Sequence, residues 1–298
     1  MSENVYAVSE KYGELPCPAR FDVPGSSLCT FKTGGPVKLL AEPENEEQLS
    51  AALRLFGGDC LILGKGSNIL IPDEGLDVPV IRLSGGFCEV SVSGCTVTAG
   101  AGAMLRDVCA AAYENSLTGA EFAYGIPGSV GGAVYMNAGA YDGEMAFITA
   151  SVRMTDRRGN VTEVPGDLCG FGYRKSLFKS VGGVILGAKF ALARGDKDAI
   201  KARMDELLNR RRTSQPLEFP SAGSTFKRPE GHYAGRLIED AGLKGLSVGG
   251  AKVSEKHAGF IINAGNATSA DVRELIEKVI DAVKRDSGVT LEPEVILL

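Results

Sequence analysis

The 298-residue chain has no tryptophan, only two histidines (His232 and His257) and no cysteine pair in CxxC spacing. So little histidine leaves almost no material for a histidine metal centre or a mobile Ser-His-Asp triad, and no metal is expected. The seven cysteines, at 17, 29, 60, 88, 95, 109 and 169, form an odd set, which argues against a disulfide framework or a zinc ribbon. They read as small buried hydrophobes in a reducing compartment. No stretch offers the roughly 18 apolar residues of a membrane span, and the N-terminal segment carries acids and no apolar core. Neither export nor membrane insertion is expected, and the location is read as cytoplasmic. A net charge of −5 and a pI near 5.3 provide no basic field for nucleic acid. The one basic run, Arg210-Arg211-Arg212, follows Met204, Leu207 and Leu208 and reads as the solvated C-terminal end of a helix, with an anionic small ligand as the other reading.

What is abundant is glycine, at 39 residues, in a composition otherwise ordinary for a globular chain long enough for about two domains. Patterning predicts strand, helix, strand, strand over 37–83, from VKLLAE through EEQLSAALRLF and CLILG to VPVIRL. CTVTAG alternates as a strand, and Met104, Leu105, Val108, Cys109 and Ala112 follow helical spacing. SVRMTD and VTEV flank the turn 157–160 as a hairpin, GVILGAKFALA is a long apolar strand, and a charged helix is expected near 196–212. A Pro/Ser/Gly-rich stretch follows, then a short helix around AGRLIEDAG. The last helix carries Val272, Leu275, Ile276, Val279, Ile280 and Val283 on one face behind a Thr268-x-x-Asp271 capping box. The fold class is α+β, a mixed α/β chain of two or three lobes.

Two glycine loops can bring backbone N–H groups close to a ligand. In Gly64-Lys65-Gly66-Ser67-Asn68, after the strand CLIL, small residues let the chain curl around an anion such as a pyrophosphate. The loop is neither a Rossmann fingerprint nor a Walker A loop, since the third glycine and the following helix are missing and no GK[ST] stands at the required spacing. In Gly125-Ile126-Pro127-Gly128-Ser129-Val130-Gly131-Gly132, proline fixes one turn and glycines strip away the Cβ atoms around it. Alone it reads as a plain loop packed on a helix; two such loops favour a dinucleotide.

The sequence resembles the UDP-N-acetylenolpyruvoylglucosamine reductases, with an FAD-binding part similar to the vanillyl-alcohol-oxidase flavoproteins. The resemblance runs through TFKTGGP, GKGSNIL, GIPGSVGGAVYMNAGAY, FGYRKSLF, PSAGSTFKRP, AGRLIEDAGLKG, VGGAKVSEKHAGFIINAGNAT and LEPEV, in the family's order. The short spacing between Gly172 and Ser221 resembles the family's shorter type. What it implies is a two-lobed FAD-binding domain over 30–194 and a smaller α/β substrate-binding domain over 195–298, whose terminal strand near 292–298 returns to the first lobe. It implies non-covalent FAD held by Gly64, Gly66, Ser67, Asn68, Ile126, Pro127, Gly128, Ser129, Gly131 and Gly132. It also implies NADPH as hydride donor and a UDP-sugar as substrate. Protein partners are not legible.

The implied catalytic residues are Arg174, Ser224 and Glu294. Hydride addition to an enolpyruvyl ether leaves negative charge beside a carboxylate, which calls for a cation and an acid. Arg174 can fork a carboxylate, and the Ser224 hydroxyl can protonate a strongly basic enolate. Glu294 would share a proton or hydrogen bond with that constellation. Tyr173, Lys227, Arg228 and Lys244 are implied substrate anchors. Taken alone, Arg174, Ser224 and Glu294 are each more often surface or loop residues, while the four anchors divide evenly between anchoring and surface roles. Where the family commonly has arginine two residues after the glutamate, this chain has Ile296. Two rival readings are another flavin oxidoreductase of the same superfamily and a non-catalytic sugar-nucleotide-binding relative.

Overall fold

The computed structural model describes residues 11–298, which divide into two compact units. One comprises residues through Phe21, 39–65 and 78–210; the other comprises 22–38, 66–77 and 211–298.

In the first unit the largest element is a five-stranded antiparallel sheet ordered Val161–Pro165, Thr149–Thr155, Val184–Ala191, Thr96–Gly100, Val90–Ser93. Val97, Ala99, Val152, Ile185 and Phe190 from its strands join Val108, Cys109 and Ala112 of the helix Leu105–Glu114 in one apolar core. A second sheet has four strands, and in it Leu40–Ala41 and Leu61–Ile62 flank Val80–Ile81 in parallel. The helix Glu46–Phe56 buries Leu49, Ala52, Leu53 and Phe56, and it starts where Asn45 accepts the Gln48 N–H at 3.0 Å.

The second unit is built on the helix Ser269–Ser287, whose Val272, Leu275, Ile276, Val279 and Val283 are buried as the spacing predicts, while Ile280 of the same expected face is half-buried. The capping box is formed: Thr268 Oγ1 accepts the Asp271 N–H at 3.0 Å and Asp271 accepts the Thr268 N–H at 2.9 Å. Asp73 adds a second carboxylate, accepting the N–H groups of Ser269 and Ala270 at 2.7 and 2.8 Å. An antiparallel sheet of Ser247–Val248, Ala251–Val253 and Ile261–Asn263 and the short helix Ala234–Asp240 complete its regular structure. Ile296–Leu297 pairs in parallel with Ile69–Leu70, so residues more than two hundred apart share one small ladder.

Two expectations need correction. Residues 130–133, read as the end of the second glycine loop, open a helix, Val130–Met136. Its glycines lower helical propensity, but Gly131 lies where a Cβ would come within 2.9 Å of the Ala101 Cβ, so close packing decides the residue type. Among the cysteines, 29, 60, 109 and 169 are buried, whereas Cys88 is exposed and does not fit the reading of buried hydrophobes. No helix among the described residues is long and apolar enough to cross a membrane.

Candidate active site

The first glycine loop begins in one unit and ends in the other. On Gly64 a Cβ would stand 2.7 Å from Ser129 Oγ and 3.8 Å from the Gly132 Cα, so the two glycine loops meet here backbone to backbone. The second loop is laced to the segment before the helix Leu105–Glu114: Val130 and Gly131 donate to Ala103 and Ala101 at 2.8 Å, and Leu105 donates to Gly128 at 3.0 Å. Gly128 N–H reaches back to Ile126 across Pro127 at 2.9 Å, which closes the turn. Ser129 caps the helix Val130–Met136 by accepting the Gly132 N–H at 3.4 Å. Backbone free of bulky side chains at a helix start is what the diphosphate of a dinucleotide requires, and Gly64, Ser129 and Gly132 fit that group.

Gly66 has φ +68°, and a Cβ there would lie 2.0 Å from the Leu28 carbonyl oxygen, so only glycine fits. Its own carbonyl accepts the Thr30 N–H at 3.0 Å. Ser67 follows in the same turn. Asn68, expected at the cofactor, is a clip to the terminal segment: its Nδ2 donates to the Glu294 carbonyl at 3.2 Å and its carbonyl accepts the Ile296 N–H at 3.0 Å.

That clip positions Glu294 in the second unit. Glu294 N–H also donates to the Thr225 carbonyl at 2.8 Å, while Lys227 N–H donates to Glu292 at 2.8 Å and Phe226 bridges Pro293. The SAGSTFK segment is therefore paired with LEPEV, and Ser224 and Glu294 are brought together. Thr225 is the buried rivet: its N–H donates to the Gly259 carbonyl at 2.8 Å and its Oγ1 accepts the Ile261 N–H at 3.0 Å.

Arg174 belongs to the first unit. Gly172 and Lys175 exchange backbone hydrogen bonds at 3.0 Å, leaving Tyr173 and Arg174 as the two tip residues of a tight turn. Arg174 adopts φ +53°, a left-handed conformation uncommon for a residue with a Cβ, and such outliers gather at functional sites. Its guanidinium stands 5.3 Å from the Tyr173 ring centroid, with Tyr173 56% exposed. Two buried polar residues hold the turn. Asn137, 1% exposed at the C-cap of the helix Val130–Met136, donates to the Gly172 carbonyl at 3.0 Å and accepts the Ala146 N–H at 2.9 Å. Ser176 Oγ donates to the Tyr135 carbonyl at 2.7 Å. Neither was singled out from the sequence. For Asn137 the signal was a polar residue inside an otherwise small and apolar block; Ser176, next to Arg174 and Lys175, had none.

The expected substrate anchors of the second unit already have partners. Lys227 Nζ meets Glu292 at 2.9 Å, Lys244 Nζ meets Glu239 at 2.6 Å, and the Arg228 guanidinium lies 4.0 Å from the Tyr233 ring centroid. An anion binding there competes with carboxylates in exposed pairs, which hold each other weakly. Among the described residues no group of three or more His, Cys, Asp or Glu side chains could hold a metal ion.

Comparison with known proteins gives two domain matches. Residues 215–298 match the UDP-N-acetylenolpyruvoylglucosamine reductase C-terminal domain, and residues 37–165 match an FAD binding domain. The UDP-N-acetylenolpyruvoylglucosamine reductase of Clostridium perfringens is 49% identical over 277 residues, covering 92% of this chain and 91% of its own. That of Streptococcus pneumoniae is 48% identical over 282 residues, covering 94% and 93%. The crystal structure of UDP-N-acetylenolpyruvylglucosamine reductase from Thermus caldophilus superposes with a TM-score of 0.82 at 37% identity, covering 94% of this chain and 98% of that one.

Proposed function

Because the chain belongs to the UDP-N-acetylenolpyruvoylglucosamine reductase family, we infer that it catalyses the NADPH-dependent, FAD-mediated reduction of UDP-N-acetylglucosamine enolpyruvate to UDP-N-acetylmuramate, in peptidoglycan synthesis. FAD, when bound, would supply the hydride chemistry between NADPH and the enolpyruvyl double bond. The rest is the work of the chain's own residues. Gly64, Gly66, Ser67, Asn68 and the 126–132 loop hold the cofactor in a domain spanning 30–194, and 195–298 chiefly hold the UDP-sugar, with Tyr173, Lys227, Arg228 and Lys244 as anchors. The reaction belongs in the cytoplasm, where NADPH is kept reduced.

Arg174 is assigned to the substrate carboxylate. Its charge is permanent and its fork geometry both orients the enolpyruvyl group and stabilises the negative charge left beside the carboxylate. Ser224 is assigned as the acid. A neutral hydroxyl can protonate an enolate carbon because that carbon is a far stronger base than a carboxylate. Glu294 is assigned to the hydrogen-bond network around that transfer.

The observation that carries the assignment of the acid is the backbone pair between Glu294 N–H and the Thr225 carbonyl, 2.8 Å, which holds the Ser224 segment against the glutamate whatever the side chains do. Its test is Ser224→Ala, followed through the two half-reactions by stopped flow. Reduction of the bound flavin by NADPH needs no acid and should stay close to the parent. Reoxidation by the enolpyruvyl substrate should slow by about 10²–10⁴-fold, the usual worth of general acid catalysis. Parent-like reoxidation would return Ser224 to a structural role and move the search to Glu294.

A further inference from the structure

Of the chain's two histidines, His257 lies in the same unit as Ser224. Glycines make a slot for its ring: a Cβ on Gly259 would stand 3.0 Å from His257 Cε1 and 3.2 Å from Nδ1, and one on Gly235 would stand 3.3 Å from Cε1. Phe260 closes the slot edge-on, with 4.9 Å between ring centroids. Gly259 N–H donates to the imidazole Nδ1 at 3.1 Å, and the His257 N–H donates to Ser254 Oγ at 3.3 Å. An accepting Nδ1 carries no proton, so the neutral ring keeps its hydrogen on Nε2. Gly259 in turn gives its carbonyl to the Thr225 N–H at 2.8 Å, and the same notional Cβ lies 3.4 Å from Ser224 Oγ. Imidazole, Gly259 and Thr225 thus form a run of contacts that ends beside the seryl hydroxyl.

We propose that His257 is a positioning residue of the reduction: its unprotonated Nδ1 fixes Gly259, and Gly259 fixes Ser224 where its proton is delivered. The proposal rests on Ser224 being the acid, and His257 itself makes and breaks no covalent bond. A proton on Nδ1 would set two N–H donors against each other, so the clamp opens in acid. Burial holds His257 below the ordinary histidine range; a hydrogen bond to its own backbone opposes this, the Lys244 charge adds to it, and the Glu239 carboxylate opposes it. Glu239 sits on the helix Ala234–Asp240 and Lys244 in the turn after it, bridged to each other at 2.6 Å. Glu294, paired through its backbone to Thr225, is a further titratable group on a segment next to Ser224. The accepting ring is therefore the neutral-pH form, and its loss falls below about pH 6.5.

The test uses the FAD-loaded enzyme between about pH 5 and 8, measuring both half-reactions by stopped flow and the imidazole Cε1–H resonances by NMR, with His257→Asn assigning the two histidines. In the parent, reoxidation by the enolpyruvyl substrate should fall along the His257 titration, and reduction by NADPH should not follow it. His257→Ala should reoxidise slowly at every pH, by on the order of 10- to 10²-fold, the scale of a small misplacement. His257→Asn offers an amide oxygen in the place of Nδ1 that cannot be protonated. It should recover most of the alanine loss and remove the acid limb. Parent-like reoxidation in His257→Ala, or an acid limb that persists in His257→Asn, overturns the proposal. Should His257→Ala fail to retain FAD, the acid limb of His257→Asn decides alone. Ser224→Ala run in parallel separates the two readings: parent-like reoxidation there removes the acid assignment, whereas a slow Ser224→Ala beside a fast His257→Ala removes only the role of His257.

Discussion

At the scale of single residues, the polar groups that hold the candidate site are buried ones that touch backbone. Asn137 is the clearest case, with one amide satisfying Gly172 and Ala146 from a left-handed C-cap, φ +43°. Asn137→Ala would leave a half-buried carbonyl and a half-buried N–H without their side-chain partner, at about 1 kcal/mol each, so a loss of roughly 1–3 kcal/mol in urea unfolding is expected. Because Gly172 begins the Arg174 turn, flavin reoxidation by substrate should slow more than reduction by NADPH. Equal slowing of both would make Asn137 merely structural. Sequence reading reached the residues of the glycine loops, Arg174, Ser224 and Glu294 through their blocks. It could not reach Asn137, Ser176 or His257, whose importance comes from partners distant in the chain or from a slot that only the folded glycines define. Nor could it reach the long-range contact of Asn68, whose side-chain amide donates to the Glu294 carbonyl.

At the scale of elements, long periodic segments were legible, as was the short helix Ala234–Asp240, whereas the glycine-rich helix 130–136 was not. The helices 46–56 and 269–287 and the hairpin around 157–160 follow from patterning and caps. The helix Val130–Met136 did not, since its glycines read as loop until the packing on Ala101 is seen. The cap of the last helix yields a pH prediction. The hydrogen bond from the Thr268 backbone holds the Asp271 carboxyl below its ordinary value; burial opposes this, and further hydrogen bonds from Gly250 and the Thr268 side chain add to it. A carboxyl depressed in the folded state stabilises fully above its unfolded pKa of about 3.9, and that stability is lost as pH falls through the folded value. Thr268→Ala should cost about 1 kcal/mol near neutral pH. Asp271→Asn should flatten the fall in stability below about pH 4, as followed by urea unfolding. An unchanged acid slope in Asp271→Asn would assign it to other carboxylates, with Asp73 at the same helix start the first to replace.

At the scale of the whole molecule, the chemistry predicts a cofactor that comes and goes. No histidine precedes residue 232, so no histidyl-flavin bond can form in the glycine-loop half, and acid precipitation should release the yellow colour into the supernatant. Colour retained in the pellet would point to attachment through a cysteine. NADPH and the enolpyruvyl substrate should react in turn, giving parallel steady-state lines as NADPH is varied. Clearly intersecting lines without substrate inhibition would contradict turn-by-turn use of one flavin. The interleaving of the second unit bears on how such a chain is made. Asn263 Nδ2 binds the Phe31 carbonyl across 232 positions, and Ile296–Leu297 completes the ladder begun by Ile69–Leu70. During synthesis the early segments leave the ribosome long before their partners exist, and the Ile69–Leu70 edge stays open until Ile296 and Leu297 emerge. Contacts of such high sequence separation fold slowly and leave strand edges exposed to wrong pairing. Nascent chains of this protein should therefore depend on holding chaperones more than their modest size suggests.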